Sequence, residues 1–167
     1  MEEKDIRLMI GNVKFGVRAV AVIEKDDKIL FQKRETDNNW TLPGGAITTL
    51  EMGEEVVLRE LKEETGEENA SIKRPLWFSE YFYTFDSKPH HQYILAYLVD
   101  IPNDSKLTKE ISFDGIEKGK NIIYKWIRIK DIKNSPIKPD YLKEKLPNIS
   151  DKYEFISEKD SNFQKIK

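Results

Sequence analysis

The chain has 167 residues, with 28 basic and 30 acidic side chains interleaved along it, a formal net charge of −2 and no cysteine. That length suits one domain, and 38% apolar residues supply a core without any long apolar run. Disulfides, thiol nucleophiles and thiolate metal sites are excluded, and stable nucleic-acid binding is not expected because no basic tract gathers the positive charge.

Met1 to Asn12 carries acids near its start and no sustained apolar core. Neither a signal peptide nor a membrane anchor is read there, so no membrane association and a cytoplasmic location are expected. A strand is predicted over Phe15 to Glu24, apolar on both faces from Ala19 onward and therefore buried in a sheet. Asp26-Asp27 turns the chain, and Lys28 to Arg34 returns as a second strand. Asp37-Asn38-Asn39 then loops through Trp40-Thr41-Leu42-Pro43 to Gly44-Gly45, where backbone can approach a ligand closely.

A helix follows, beginning near Met52 and ending at Gly66, a residue suited to a left-handed C-cap. Met is a weak N-cap, and Thr48 with Glu51 is an alternative capping box one turn earlier. Val57, Leu58 and Leu61 form the face expected to pack inward. Glu60, Glu63 and Glu64 fall within an arc of about 100° on the adjoining face, in the last turns. Negative charge is badly placed there. The C-terminal end of a helix already carries about half an elementary negative charge, and Glu60 and Glu64 repel each other at i,i+4. Two broken local rules at one spot point to function, and a divalent cation taking carboxylate oxygens would remove the conflict.

Ala70 to Phe85 and His90 to Ile101 read as two long strands joined at Asp86-Ser87-Lys88-Pro89, and Ile122 to Ile129 as another after a polar loop. Asp140 to Leu146 is predicted to be a short helix stopped by Pro147. Strands around a central helix, with a second helix near the end, indicate an α+β fold with a mixed sheet flanked by helices. No repeat or linker divides the chain. A single domain is expected over 1–147, followed by a loosely ordered polar tail over 148–167.

From Gly45 onward the chain reads GAITTLEMGEEVVLRELKEETGE. It resembles the Nudix box: Gly, five residues, Glu, seven residues, Arg-Glu, a hydrophobic residue, any residue, Glu-Glu, any residue, Gly and a final hydrophobic residue. Gly45, Glu51, Arg59, Glu60, Glu63, Glu64 and Gly66 all match, and seven such matches by chance have odds on the order of 10⁻⁶. Glu54 belongs to a Glu-x-Gly-Glu lookalike displaced by three residues, so Glu51 is the box glutamate. Glu67 departs from the pattern by replacing the final apolar residue.

The resemblance implies an α/β/α sandwich of the Nudix (MutT-like) type over roughly Phe15 to Leu146. It also implies hydrolysis of the pyrophosphate linkage of a nucleoside diphosphate joined to another group, with Mg²⁺ or Mn²⁺ as cofactor. ADP-ribose, nucleoside triphosphates and nucleotide sugars are the open substrate classes, and a homodimer is in keeping with the family. By the same resemblance Glu60, Glu63, Glu64 and the Gly44 carbonyl are the metal ligands, while Arg59 pairs with Glu51 and holds the carboxylates in place. The general base is left between Glu64 and an acid of the loop before Ile122, namely Glu110, Asp114 or Glu117.

Outside the box, Arg18, Lys33, Arg34 and Trp40 are the candidate substrate contacts, because Arg and Lys bind phosphate and Trp40 adjoins the glycine turn. Alternation sends Lys33 and Arg34 to opposite faces. Trp77, Phe78, Tyr81, Tyr83, Phe85, Tyr93 and Tyr97 are read as core or sheet-face packing, and His90 and His91 as exposed without a role. Two competing functions use the same fold. One is a non-catalytic nucleotide-sensing or RNA-binding module, against which the intact set of box acids speaks. The other is an isopentenyl diphosphate isomerase, whose catalytic cysteine this chain lacks.

Overall fold

The structure is a computed structural model that describes residues 4–164. Nine strands, β1 (Arg7–Ile10), β2 (Val13–Lys25), β3 (Lys28–Arg34), β4 (Gly44–Ala46), β5 (Ser71–Phe85), β6 (Lys88–Asp100), β7 (Ser112–Asp114), β8 (Ile122–Arg128) and β9 (Glu154–Lys159), form one mixed sheet. Its main path runs β7-β8-β3-β2-β6-β5-β9, with β2–β6 and β5–β9 parallel and the remaining pairs antiparallel. Helix α1 (Gly53–Thr65) covers one face. The short helices α2 (Ile129–Ile132) and α3 (Leu142–Lys145) cover the other, giving the expected α/β/α sandwich.

The uninterrupted apolar run of β2 explains its central place. Ala19, Ala21 and Ile23 face α1 with Val56, Val57 and Leu61, while Val20 and Val22 pack with Ile132, Ile137 and Leu142 on the opposite side. One edge of β2 pairs with β6 from Lys14 to Ile23. The other edge is shared by β1, then β4, then the start of β3, which pairs with Glu24 and Lys25 across the Asp26-Asp27 turn. Beyond that turn β3 leaves β2 for β8, and β4 fills the notch between them, carrying the two glycines.

Several expectations need correction. The turn between β5 and β6 is only Asp86-Ser87, both at positive φ as a two-residue hairpin requires, so Lys88 and Pro89 already belong to β6. The expected helix over Asp140 to Leu146 shrinks to α3, and Pro147 continues a 3₁₀ turn over Leu146–Asn148. The described part of the tail, up to Gln164, is not loose: β9 pairs with β5 from Trp77↔Glu154 to Phe82↔Lys159, while 165–167 lie outside the described residues. His90 is buried against Tyr83, and His91 stands among Phe15, Phe82 and Tyr93. Trp77 and Tyr81 are core residues as expected, whereas Phe85 is exposed. None of the described helices is long and apolar enough to cross a membrane.

Candidate active site

Helix α1 puts Gly53, Val56, Val57, Glu60, Leu61 and Glu64 on one buried stripe. Glu60 and Glu64 therefore share the apolar face that meets the sheet, at 8% and 4% exposure. Val56 takes the inward place expected of Leu58, which lies on the flank. Glu63 also lies on the flank, with 47% of its side chain exposed. Two carboxylates on a stripe of valine and leucine oppose the usual sorting of charge and demand partners.

Arg59 supplies the first of these. Its Nε and Nη2 donate to Glu51 Oε1 and Oε2 at 2.7 and 3.0 Å, a bidentate fork, while Nη1 reaches Glu60 Oε1 at 2.9 Å and Glu63 Oε2 at 3.1 Å. These bonds hold the Glu51 carboxyl below the ordinary glutamate range and raise the guanidinium further above its own. Thr48 does not cap the helix. Its hydroxyl donates to Glu51 Oε2 at 2.7 Å, and the N-cap is Met52, whose N–H is taken by the Glu55 carboxylate at 2.8 Å.

Tyr124 and Lys120 supply the rest, and neither stood out in the sequence. The Tyr124 hydroxyl donates to Glu64 Oε2 at 2.7 Å. Lys120 Nζ lies 3.2 Å from Glu64 Oε1, 3.8 Å from Glu60 Oε2 and 2.8 Å from Glu117 Oε2. Burial raises the Glu64 carboxyl above the usual range; the Tyr124 bond opposes this and the Glu60 charge adds to it. The loop carrying Lys120 is docked on α1, because Ile116 N–H donates to the Glu64 carbonyl at 2.8 Å.

Of the acids preceding β8, Glu117 enters the site through Lys120 and Asp114 is exposed on β7. Glu110 lies far off, in a groove with Lys25, Asp26, Lys28 and Trp126 beside the β2–β3 turn. The distance follows from the eight-residue step along the chain from Arg18 on β2 to Asp26, roughly 25 Å of strand.

Gly44 and Gly45 are required as glycines. Gly44 has φ +153°, and a Cβ there would overlap the Ala19 carbonyl and lie 2.8 Å from Val20 Cα. A Cβ on Gly45 would overlap the Glu60 carboxylate, with Cγ 2.8 Å away. Gly44→Ala is therefore expected to lower the melting temperature sharply, since backbone must move. Gly45→Ala is expected to leave it nearly unchanged, since only the Glu60 side chain must give way. Paired thermal melts check this contrast.

Arg18 stands beside the Gly44 carbonyl, with Nη2 at 3.4 Å and a solvent-shielded Nε lacking a hydrogen-bond partner. Burial lowers its pKa, against the pull of Tyr83, Glu60 and Glu64. Lys33 Nζ lies 5.2 Å over the Trp40 ring, and Lys125 approaches the same ring at 5.9 Å. Trp40 packs at the border of the core and Arg34 is exposed at the end of β3. Glu67 is buried, accepting from the Ser105 hydroxyl and, at 2.8 Å, from Asn69 N–H, so it anchors the loop before β7 instead of packing as an apolar residue would.

Glu60 and Glu64 offer hard oxygen donors on successive turns of one helix face, with the missing Cβ of Gly45 making room for the Glu60 carboxylate, and such a donor set suits a divalent cation. The described residues also bring Asp140, Glu158 and Asp160 within 4.8 Å of one another, but Lys138 is already there, 2.9 and 2.7 Å from Asp140 and Asp160.

Comparison with known proteins agrees with this geometry. The NUDIX domain matches residues 14–148. An ADP-ribose pyrophosphatase of Methanocaldococcus jannaschii is 50% identical over 54 residues, which is 30% of this chain and 32% of that protein, so the match spans about a third of the relative's length. Solved structures with the same fold include the mutator MutT protein of Bacillus halodurans, at 15% identity and TM-score 0.59, covering 89% of this chain and 93% of that one. A UDP-X diphosphatase is similar at 18% identity and TM-score 0.55, covering 84% and 66%. With Arg59, Glu60, Glu63 and Glu64 on one helix, Gly45 in the sheet notch and the domain match running across both, the chain belongs to the NUDIX family.

Proposed function

We propose that this protein hydrolyses the phosphoanhydride bond of a nucleoside diphosphate linked to a second group, with ADP-ribose as the first substrate to test. The observation that carries the reading is the pair of buried carboxylates, Glu60 and Glu64, each locked through one oxygen by Arg59 or Tyr124. The identity with an ADP-ribose pyrophosphatase across a 54-residue stretch supports the choice of substrate. A magnesium or manganese ion, held by Glu60 and Glu64 with Glu63 and the Gly44 carbonyl as further ligands, would neutralise diphosphate charge and acidify bound water.

The chain's own residues do the positioning. Arg59 spans Glu51, Glu60 and Glu63 and keeps three acids in register. Arg18, poorly partnered and shielded from water, is the group best prepared to fork onto phosphate oxygens. Glu64, whose carboxyl burial pushes upward, and Glu117, at the rim, are the candidates to take the proton of the attacking water. Water adds to one phosphorus, the bridging oxygen departs with the other, and two phosphate monoesters result.

A panel of ADP-ribose, nucleoside triphosphates and UDP-sugars with Mg²⁺ or Mn²⁺ tests the proposal. The expected result is cation-dependent release of AMP from ADP-ribose. Nucleotide binding without turnover of any panel member would favour a sensing module instead. Gly45→Ala should lower kcat/KM on the active substrate by about 10²-fold, because it displaces Glu60 by the order of an ångström.

A further inference from the structure

We propose that Lys120 is a built-in counter-cation that occupies the cation site of the free protein and must be displaced when a divalent ion binds. This rests on the assignment of Glu60 and Glu64 as cation ligands. Each of those carboxylates has one oxygen committed and one available. Glu60 Oε1 is held by Arg59 and Glu64 Oε2 by Tyr124. The remaining oxygens, Glu60 Oε2 and Glu64 Oε1, both face the Lys120 ammonium, at 3.8 and 3.2 Å. The lone pairs a metal would use are those Lys120 already uses.

The two arrangements are mutually exclusive on physical grounds. Buried carboxylates four residues apart on one helix face repel each other and need a positive charge between them. One ammonium or one divalent ion meets that need, but a dication and an ammonium sharing the same two oxygens repel each other strongly.

The architecture permits exchange. Lys120 belongs to the stretch between β7 and β8, whose ends are pinned: Gly115 N–H donates to the Ile122 carbonyl and Ile116 N–H to the Glu64 carbonyl, both at 2.8 Å. Its neighbours Gly119 and Asn121 have φ of +85° and +48°, so the lysine sits between two left-handed residues at the turn. Its side chain is 42% exposed, leaving a path to solvent beside Glu117, which can keep the displaced ammonium at the rim. Such a site stays neutralised by its own lysine until a diphosphate adds its oxygens to the cation, so metal uptake is coupled to substrate.

The test is Mn²⁺ binding to the full chain without nucleotide, read from free Mn²⁺ by electron paramagnetic resonance, for wild type, Lys120→Met and Lys120→Arg. Removing the competing charge should tighten Mn²⁺ binding about three- to tenfold in Lys120→Met, whereas Lys120→Arg should bind no more tightly than wild type. The metal-free melting temperature of Lys120→Met should fall, since Glu60 and Glu64 lose their shared partner. A lysine with a merely structural role would not tighten metal binding when removed. Unchanged or weaker Mn²⁺ binding by a folded Lys120→Met protein overturns the proposal while leaving the ligand assignment intact. If that variant does not fold, Lys120→Gln answers the same question. Absence of Mn²⁺ binding by wild type and variants alike overturns both.

Discussion

Glu64→Gln is expected to cut turnover of the diphosphate substrate by 10²- to 10⁴-fold, about 3 to 5 kcal/mol of barrier, while changing the stability of the metal-free protein by less than about 1 kcal/mol. The asymmetry comes from what the amide keeps. Its oxygen can still accept the Tyr124 hydroxyl, which donates to Glu64 Oε2 at 2.7 Å, so no buried donor is orphaned. The repulsion from Glu60 vanishes, and burial, which pushes the Glu64 carboxyl upward, favours an uncharged group there. Against these gains stands the lost ion pair with Lys120 at 3.2 Å, and the terms nearly cancel. What the amide cannot supply is an anionic oxygen for a cation or a base for water. Steady-state kinetics and thermal melts without metal on the same preparation check the two halves. A collapse of stability with activity retained would remove Glu64 from the chemistry and make it a structural residue.

Much of the candidate site was legible in the sequence because the members concerned are local. Glu51, Arg59, Glu60, Glu63 and Glu64 lie within fourteen residues; helix spacing brings Arg59 to Glu63 at i,i+4, whereas Glu51 precedes the N-cap Met52 and its pairing with Arg59 is implied by the box pattern, not by helix geometry. What spacing could not show is that Glu60 and Glu64 lie on the buried stripe and Glu63 off it. That difference is decided by where the sheet sits, and by Gly45, which leaves room for the Glu60 carboxylate. Lys120 and Tyr124 were not legible for the same reason: both lie more than fifty residues from the helix in the chain, and no local pattern marks them. Nearness to a hairpin tip does not expose the histidines, because a tip is exposed only if no neighbouring strand covers it. Here β2 and β5 flank β6 nearly to its start, and Tyr83 stacks on His90.

Strand β9 escaped notice because its burial is minimal: of Glu154 to Lys159 only Ile156 is buried, so neither alternation nor hydrophobicity announces an edge strand. Polar bonds tether it instead, and they give the second large expectation. Asp160 Oδ2 accepts from the Tyr81 hydroxyl and from Lys138 Nζ, both at 2.7 Å, and its side chain is only 2% exposed. Asp160 N–H donates to the Phe82 carbonyl at 2.8 Å, and Asn162 exchanges hydrogen bonds with the Thr84 backbone. Asp160→Ala leaves the Tyr81 hydroxyl buried without its acceptor and takes from Lys138 one of two anionic partners. The expected loss is about 3 kcal/mol, or roughly 6 to 12 °C in melting temperature for a domain of this size. Asp160→Asn should cost about half as much, because an amide oxygen can still accept one of the two donors.

The pH dependence of that loss has a definite sign. Burial alone would raise the Asp160 carboxyl, but Asn162 N–H, Lys138 and Tyr81 together hold it below the ordinary aspartate value. A depressed folded value means the stabilisation is fully present above the unfolded aspartate pKa and disappears as pH falls through the folded one. Wild type should therefore lose stability on acidification below about pH 4, and Asp160→Asn should lose less over that interval. Urea titrations at neutral pH and near pH 3 measure the difference. Because the latch joins β9 to β5 and makes no contact with Glu60 or Glu64, the folded fraction of Asp160→Ala should turn over substrate as wild type does. An equal loss of stability in both variants at every pH would show that packing, not the charge on Asp160, secures the last strand.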